Sequence, residues 1–220
     1  CSRDWSSDVC SSDLAGAESK IPEITRAAAL ALLMSESISI AVAGTHGKTT
    51  TSSMATVALQ SAGVDPSFAI GGILKSSGSN AHRGSGKYFI AEADESDGTF
   101  LLLSPVMSVI TNIDNDHMDH YGTEENLFKA FVEFANKIPF YGTVALNSHD
   151  EKLMQLKHEM KRPSVTFGIE NDADYCARNI EMSPFESAYD VYYKGKKVER
   201  FTINLPGRHN ILNSLGASAL

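Results

Sequence analysis

The amino-acid sequence predicts an α/β fold: a doubly wound, mostly parallel sheet with an antiparallel β extension toward its end. Three observations predict it. Short apolar stretches of strand length alternate with helical stretches from Ile38 to Phe167. A glycine-rich turn, Gly44 to Thr50, lies between the first strand and the helix after it. From Tyr175 to Leu205 the pattern changes to strands alone.

The first segment, Cys1 to Leu14, repeats a Ser-Ser-Asp theme with neither helical nor strand periodicity. It resembles a cloning or sequencing-adapter scar and is set aside as a non-native tail. Ile21 to Met34 reads as a helix entered through Pro22, with Ile24, Ala28 and Leu32 on one face. Ile38 to Ala43 is a short buried strand, and Thr49 to Ala62 is a helix stopped by Gly63. Ser76 to Gly86, rich in serine and glycine, is expected to be a mobile loop facing substrate. Tyr88 to Ala91 and Val106 to Thr111 are strands, and Thr123 to Lys137 is a helix. Thr143 to Leu146 is a strand, Asp150 to Met160 a helix, and Val165 to Phe167 a strand after Pro163. Tyr193 to Lys196 turns a hairpin between Tyr189 to Tyr192 and Val198 to Ile203. Asn210 to Leu220 begins a helix that stops without a cap, as if the chain were cut there.

Composition narrows the function. At 220 residues, 42% hydrophobic and 21% charged, the chain has room for one sizeable core with pieces of neighbouring domains. Its 19 basic and 27 acidic residues give a net charge of -8, which disfavours nucleic acid or an anionic membrane as partner. The longest apolar run, Ala27 to Met34, is too short to span a bilayer, and no secretory signal is seen, so a cytoplasmic protein is expected. Cys1, Cys10 and Cys176 lack the paired spacing of a zinc site or a disulfide framework.

Four clusters hold the chemistry, and three of them directly follow strands. In Gly44-Thr45-His46-Gly47-Lys48-Thr49-Thr50 the glycines let backbone N–H groups face a phosphate, and the helix N-terminus adds partial positive charge. Lys48 can bridge β- and γ-phosphates and Thr49 can ligate Mg²⁺. The loop is shorter than the usual pattern, with Val42 where a first glycine would stand. Glu92-Ala-Asp94-Glu95-Ser96-Asp97 leaves a strand end, where ligands gather in doubly wound sheets. Glu92 is the best-placed Mg²⁺ ligand, while the other acids can equally form a solvated turn. Asn112 to Tyr121 supplies His117 as a candidate ligand for a second cation, with His120 as readily structural. Asn210 and Asn213 share one face of the last helix, where carboxamides match the edge of adenine, although Asn210 can equally cap that helix.

Taken together and in this order, the clusters resemble the Mur ligase family, ATP-dependent enzymes that build the peptide stem of bacterial peptidoglycan. The phosphate loop, Glu92 to Phe100 and Asn112 to Asp119 look most like its alanine-adding branch. The muropeptide-recycling branch is the nearest alternative; a P-loop NTPase acting as a nucleotide switch is the alternative from another class. The resemblance runs from about Ser19 onward. It implies that 15–36 ends a UDP-binding domain with its linker, that 37–220 is a central ATP-binding domain truncated at its C-terminus, and that the C-terminal ligase domain is absent. It also implies ATP and Mg²⁺ as cofactors and UDP-N-acetylmuramate and L-alanine as substrates, with no protein partner expected. Lys48, Glu92 and His117 would be catalytic, with Thr49, Glu92 and His117 on metal. Gly44 through Thr50, with Asn210 and Asn213, would hold the nucleotide. Asn80 and His82 would face the sugar nucleotide.

Overall fold

Alternation of side chains along the first strand explains why helices cover both faces of the sheet. In strand β1 (Ile38–Ala43) Ile40 and Val42 point into the apolar clusters on one face, while Ala41 and Ala43 point into the large cluster on the other. A strand buried on both sides must be central and cannot alternate apolar with polar. The computed structural model describes residues 24–220. The segment 1–14 and the predicted start of the first helix at Ile21 lie outside the described residues.

After β1 come β2 (Ser67–Leu74), β3 (Ser79–His82), β4 (Tyr88–Glu92), β5 (Met107–Ile110) and β6 (Thr143–Asn147). They are followed by β7 (Ser164–Ile169), β8 (Tyr175–Met182), β9 (Ser187–Tyr193) and β10 (Lys196–Ile203). The helices are α1 (Arg26–Ser35), α2 (Lys48–Ser61), the single turn α3 (Met118–Tyr121), α4 (Glu124–Lys137), α5 (Glu151–Glu159) and α6 (Arg208–Ser218). A 3₁₀ turn spans Thr99–Leu102. Among the described residues one sheet has the order β10-β9-β8-β7-β6-β5-β1-β4-β2-β3. Every pairing from β2 through β4, β1, β5, β6 and β7 to β8 is parallel. β3 at one edge and β9 and β10 at the other are antiparallel. Helices α2 and α6 pack together on one face, and α1, the 3₁₀ turn, α4 and α5 cover the other. The predicted α/β, doubly wound, mostly parallel class with its antiparallel extension is the observed one.

Helix starts follow their caps. Thr123 accepts from the Asn126 N–H and Asp150 from the Leu153 N–H, so α4 and α5 each begin one residue after the predicted first position.

Four expectations are corrected. The face of α1 is not Ile24, Ala28 and Leu32: Ile24 and Leu32 are 58% and 62% exposed, and Met34 with Leu30 and Ala31 packs inward. Thr25 caps the helix, leaving Ile24 outside it, and a segment apolar on every side offers no periodicity from which to choose a face. Ser76 to Gly86 is not a plain loop, because Ser79–His82 pairs with β2 as an edge hairpin. Nor does the antiparallel extension begin at Tyr175: β8 lies parallel to β7, with Phe167 opposite Tyr175, and the chain doubles back through Glu170 at φ 53°. Lastly, α6 runs from Arg208 to Ser218 rather than from Asn210 to Leu220, and the Ala219 N–H closes it on the Leu215 and Gly216 carbonyls.

The extension is pinned by one buried carboxylate. Asp190 on β9 accepts from Asn179 (2.9 Å) and pairs with Lys197 (2.9 Å) and Arg200 (3.2 Å). The Asn179 and Lys197 hydrogen bonds, against the opposing effect of burial, hold its pKa at about 2. A carboxyl with a lowered folded pKa stabilises above its unfolded pKa near 4 and loses that contribution as pH falls toward 2. Acid titration of the melting temperature should therefore fall more steeply between about pH 4 and 2 for the natural chain than for Asp190→Asn. Parallel curves would contradict the pairing.

Candidate phosphate site at the strand ends

The turn after β1 is held open by backbone geometry and by the end of β5. Gly44 and Gly47 have φ of 119° and 86°, which disfavour any residue with a Cβ. A Cβ at Gly47 would come within 2.6 Å of Asn213 Oδ1, and one at Gly44 would collide with Thr111. Asn112 clamps His46 twice: its Oδ1 accepts the His46 N–H (2.8 Å) and its Nδ2 donates to the His46 carbonyl (2.8 Å). The Thr111 hydroxyl also donates to that carbonyl (2.6 Å), and the Asp114 N–H donates to Thr45 Oγ1 (2.9 Å). Gly47 then caps α2 without a side-chain hydrogen bond, so the first-turn N–H groups of the helix are met by no capping side chain.

Lys48 and Thr49 open that helix and point to two different acids. Lys48 Nζ donates to the Gly44 carbonyl (2.8 Å), the Thr45 carbonyl (3.4 Å) and both oxygens of Glu95 (2.8 and 3.1 Å). Thr49 Oγ1 donates to Glu92 Oε2 (3.1 Å). Glu92, the last residue of β4, also accepts from Ser52 Oγ (3.1 Å) and from the Gly71 N–H of β2 (2.6 Å). Gly71 is glycine for that contact, since a Cβ there would lie 2.9 Å from Glu92 Oε2.

His117 joins from the third strand end. It stands at φ 62° as the cap of α3, with Nε2 3.8 Å from Glu95 Oε1. Tyr121, at the other end of that turn, donates its hydroxyl to the Glu95 carbonyl (2.5 Å). Burial, then the charges of Glu95, Asp97 and Asp94, push the Tyr121 hydroxyl up to about 12, so it remains a donor. His120 packs edge-on against the Tyr121 ring and over Gly98, a structural position.

The acids beside Glu92 have separate tasks. Asp94 bonds the Ser96 N–H, and Asp97 accepts from both the N–H and hydroxyl of Thr99, capping the 3₁₀ turn. Glu95 is 1% exposed and faces Lys48. The sequence left its role open, because the closely spaced acids Asp94, Glu95 and Asp97 give no sign of which one turns inward.

On α6, Asn210 and Asn213 are both buried, with Asn213 against Gly47 of the turn. Asn210 does not cap the helix: Gly207 does, at φ 101°, and Asn210 Nδ2 donates to the Pro206 carbonyl (2.7 Å). The structure does not bring His82 to this cluster. Its ring packs against Phe68 on the sheet edge and lies 2.9 Å from Asp65 at the entry to β2, level with Ile90 of β4. Asn80 is exposed on the same edge strand. On the other flank of the turn a cleft of about 420 Å³ is lined by His46, Asn112, Asp114, His149, Asp150 and Lys152. Of these, His149, Asp150 and Lys152 were not expected at the site.

Amide N–H groups, an ammonium and a hydroxyl–carboxylate pair thus gather at the turn and the first residues of α2, a set able to hold a polyphosphate. Among the described residues no three His, Cys, Asp or Glu side chains form a ready metal cage. Thr49 Oγ1 and Glu92 Oε2 fit Mg²⁺ nonetheless, because that ion takes a few protein oxygens and completes its shell with phosphate and water.

The fold and the strand-end site define an α/β domain of the doubly wound class, with its side-chain chemistry at the carboxyl ends of parallel strands. The family described as the Mur ligase middle domain matches residues 42–220, and the chain belongs to it. The chain is 45% identical over 201 residues to UDP-N-acetylmuramate--L-alanine ligase of Trichlorobacter lovleyi, and 50% identical over 204 residues to the protein of that name from Laribacter hongkongensis. Each match covers 91% of this chain and 44% of the relative, so the chain spans less than half the length of either. It superposes with a TM-score of 0.81, at 26% identity, on UDP-N-acetylmuramate:L-alanyl-gamma-D-glutamyl-meso-diaminopimelate ligase from Neisseria meningitides, over 96% of this chain and 69% of that one. UDP-N-acetylmuramate-alanine ligase from Thermotoga maritima gives 0.80 at 28% identity, over 94% and 47%. No helix among the described residues is long and apolar enough to cross a membrane.

Proposed function

We propose that this chain is the ATP-binding part of a cytoplasmic ligase that joins L-alanine to the lactyl carboxylate of UDP-N-acetylmuramate in peptidoglycan precursor synthesis. The observation that carries the reading is the pair of contacts at the start of α2, Lys48 folded back over the Gly44 carbonyl and Thr49 bonded to Glu92, in a chain whose relatives at 45% and 50% identity bear that ligase name. The names favour the alanine-adding reaction over the muropeptide-recycling one.

In this reading Gly44 through Thr50 wrap the phosphates of ATP, the free first-turn N–H groups of α2 bind their oxygens, and Lys48 neutralises the β- and γ-phosphates. Asn210 and Asn213 take the adenine. Thr49 and Glu92 hold one Mg²⁺ and His117 a second; bound there, Mg²⁺ draws off charge that builds on the transferring phosphoryl group. The γ-phosphoryl group passes to a carboxylate oxygen of UDP-N-acetylmuramate, releasing ADP and leaving an acyl phosphate. The amine of L-alanine attacks its carbonyl carbon and inorganic phosphate departs. The chain's own work is positioning and charge stabilisation. Residues 15–36 end the preceding domain, 37–220 form this one, and parts of the whole protein beyond this chain complete the ligation, so the chain alone binds Mg-ATP without ligating. Asn80 and His82, both on the edge strand, are the candidates for the sugar nucleotide.

The test is calorimetric titration of the chain with a non-hydrolysable ATP analogue, with and without Mg²⁺. Glu92→Ala and His117→Ala should each lose most of the affinity that Mg²⁺ adds, about tenfold or more, while binding without metal changes little. Wild-type stimulation by Mg²⁺ in both variants would refute the metal assignment. A full-length relative carrying this domain should release phosphate only when both L-alanine and UDP-N-acetylmuramate are present; release without them would favour a nucleotide switch.

A further inference from the structure

We propose that Glu95 is a specificity-determining residue: its buried carboxylate makes the phosphate turn favour metal-bound nucleotide over metal-free nucleotide. The inference rests on the reading of Gly44 to Thr50 as a phosphate site.

Three facts place Glu95 under that turn. Its side chain is 1% exposed, and both of its oxygens accept from Lys48 Nζ. The remaining donors of Nζ go to the Gly44 and Thr45 carbonyls, so all of the ammonium's hydrogen-bonding capacity is engaged within the chain. The carboxylate is also fixed in place: Tyr121 grips its backbone carbonyl, and His117 Nε2 stands 3.8 Å from Oε1.

A phosphate oxygen reaching for Lys48 must therefore displace a carboxylate that water does not screen, and the two anions repel at short range. Metal-free nucleotide meets this opposition in full. Nucleotide that arrives with a divalent cation brings positive charge to the same place, and the carboxylate that opposed the phosphates becomes a counter-ion for the cation. Glu92 does not have this effect, because it bonds Thr49, Ser52 and Gly71 rather than the ammonium. Glu95 thus acts on discrimination and also holds Lys48 across the turn before nucleotide arrives.

The experiment titrates ADP into the chain in EDTA and again in excess Mg²⁺, for the natural chain, Glu95→Gln and Glu95→Asp, with melting curves for each. The quantity read is the ratio of the two affinities. Glu95→Gln should bind ADP about tenfold tighter without metal and gain nothing with it, so the ratio falls about tenfold. Glu95→Asp, with its charge drawn back by one methylene, should lower the ratio by about threefold, which decides the matter if Glu95→Gln does not fold. An unchanged ratio, or equal weakening in both conditions as a merely structural role would give, overturns the inference while leaving the phosphate site standing. No ADP binding by the natural chain in either condition overturns the phosphate site and this inference together.

Discussion

Replacing Lys48 by alanine is expected to lower the affinity for an ATP analogue about a hundredfold, close to 2.7 kcal/mol. The ammonium is the formal positive charge that reaches into the turn between Gly44 and Thr45, and the amides that remain offer only partial charges. The same substitution has a second effect. It strands Glu95, at 1% exposure, without its cation, and removing one partner of a buried pair costs about 3 kcal/mol or more of stability. The two effects separate, in excess Mg²⁺ where Glu95→Gln by itself gains no affinity, in the double variant Lys48→Ala/Glu95→Gln, which should recover much of the lost stability and none of the lost nucleotide affinity. Calorimetry and chemical denaturation of the two variants read both quantities. Recovery of affinity in the double variant would show that Lys48→Ala lost binding through misfolding rather than through charge.

The second large effect is on the core beneath the acids. Phe100 is 1% exposed in the 3₁₀ turn that follows Asp97, stacked on Phe134 at 5.0 Å and edge-on to Phe131 at 5.4 Å. It fastens the Glu92 to Gly98 segment to α4. Phe100→Ala should cost about 3–5 kcal/mol, the lost apolar burial plus the cavity left between rigid rings. The denaturant midpoint should fall with little change in slope. Because the truncation loosens the segment that carries Glu95, Mg-ATP affinity should fall as well. A loss of stability below about 1 kcal/mol would mean that the segment is held chiefly by the hydrogen bonds of Asp97 and Tyr121.

Much of this arrangement was legible before the fold was known, for reasons that differ from residue to residue. Lys48 and Glu92 stood out because each follows a short apolar run, and in a doubly wound sheet the ends of parallel strands converge. The starts of α4 and α5 were legible to within one residue, Thr123 and Asp150 being the caps rather than the first helical residues. Glu95 was hidden among like charges, since its burial depends on Lys48 arriving from another strand end. No strand was predicted over β2, where Gly71 and Gly72 weaken the strand pattern, and Gly71 is there so that its N–H can approach Glu92. β3, Ser-Asn-Ala-His, contains no β-branched residue, and its strand character comes from pairing with β2 rather than from its own preference. His82, expected from its serine- and glycine-rich surroundings to face substrate, lies on the edge hairpin beside Asp65.

The central claim is that the phosphates of a nucleotide lie in the turn between β1 and α2. A crystal structure of the chain with a non-hydrolysable ATP analogue and Mg²⁺ tests it most directly. The account predicts the β-phosphate among the N–H groups of Gly47 to Thr50, with Lys48 on the β- and γ-phosphates and a cation between Thr49 Oγ1 and Glu92. Phosphates bound away from Gly44 to Thr50, with Lys48 still held by Glu95, would contradict it.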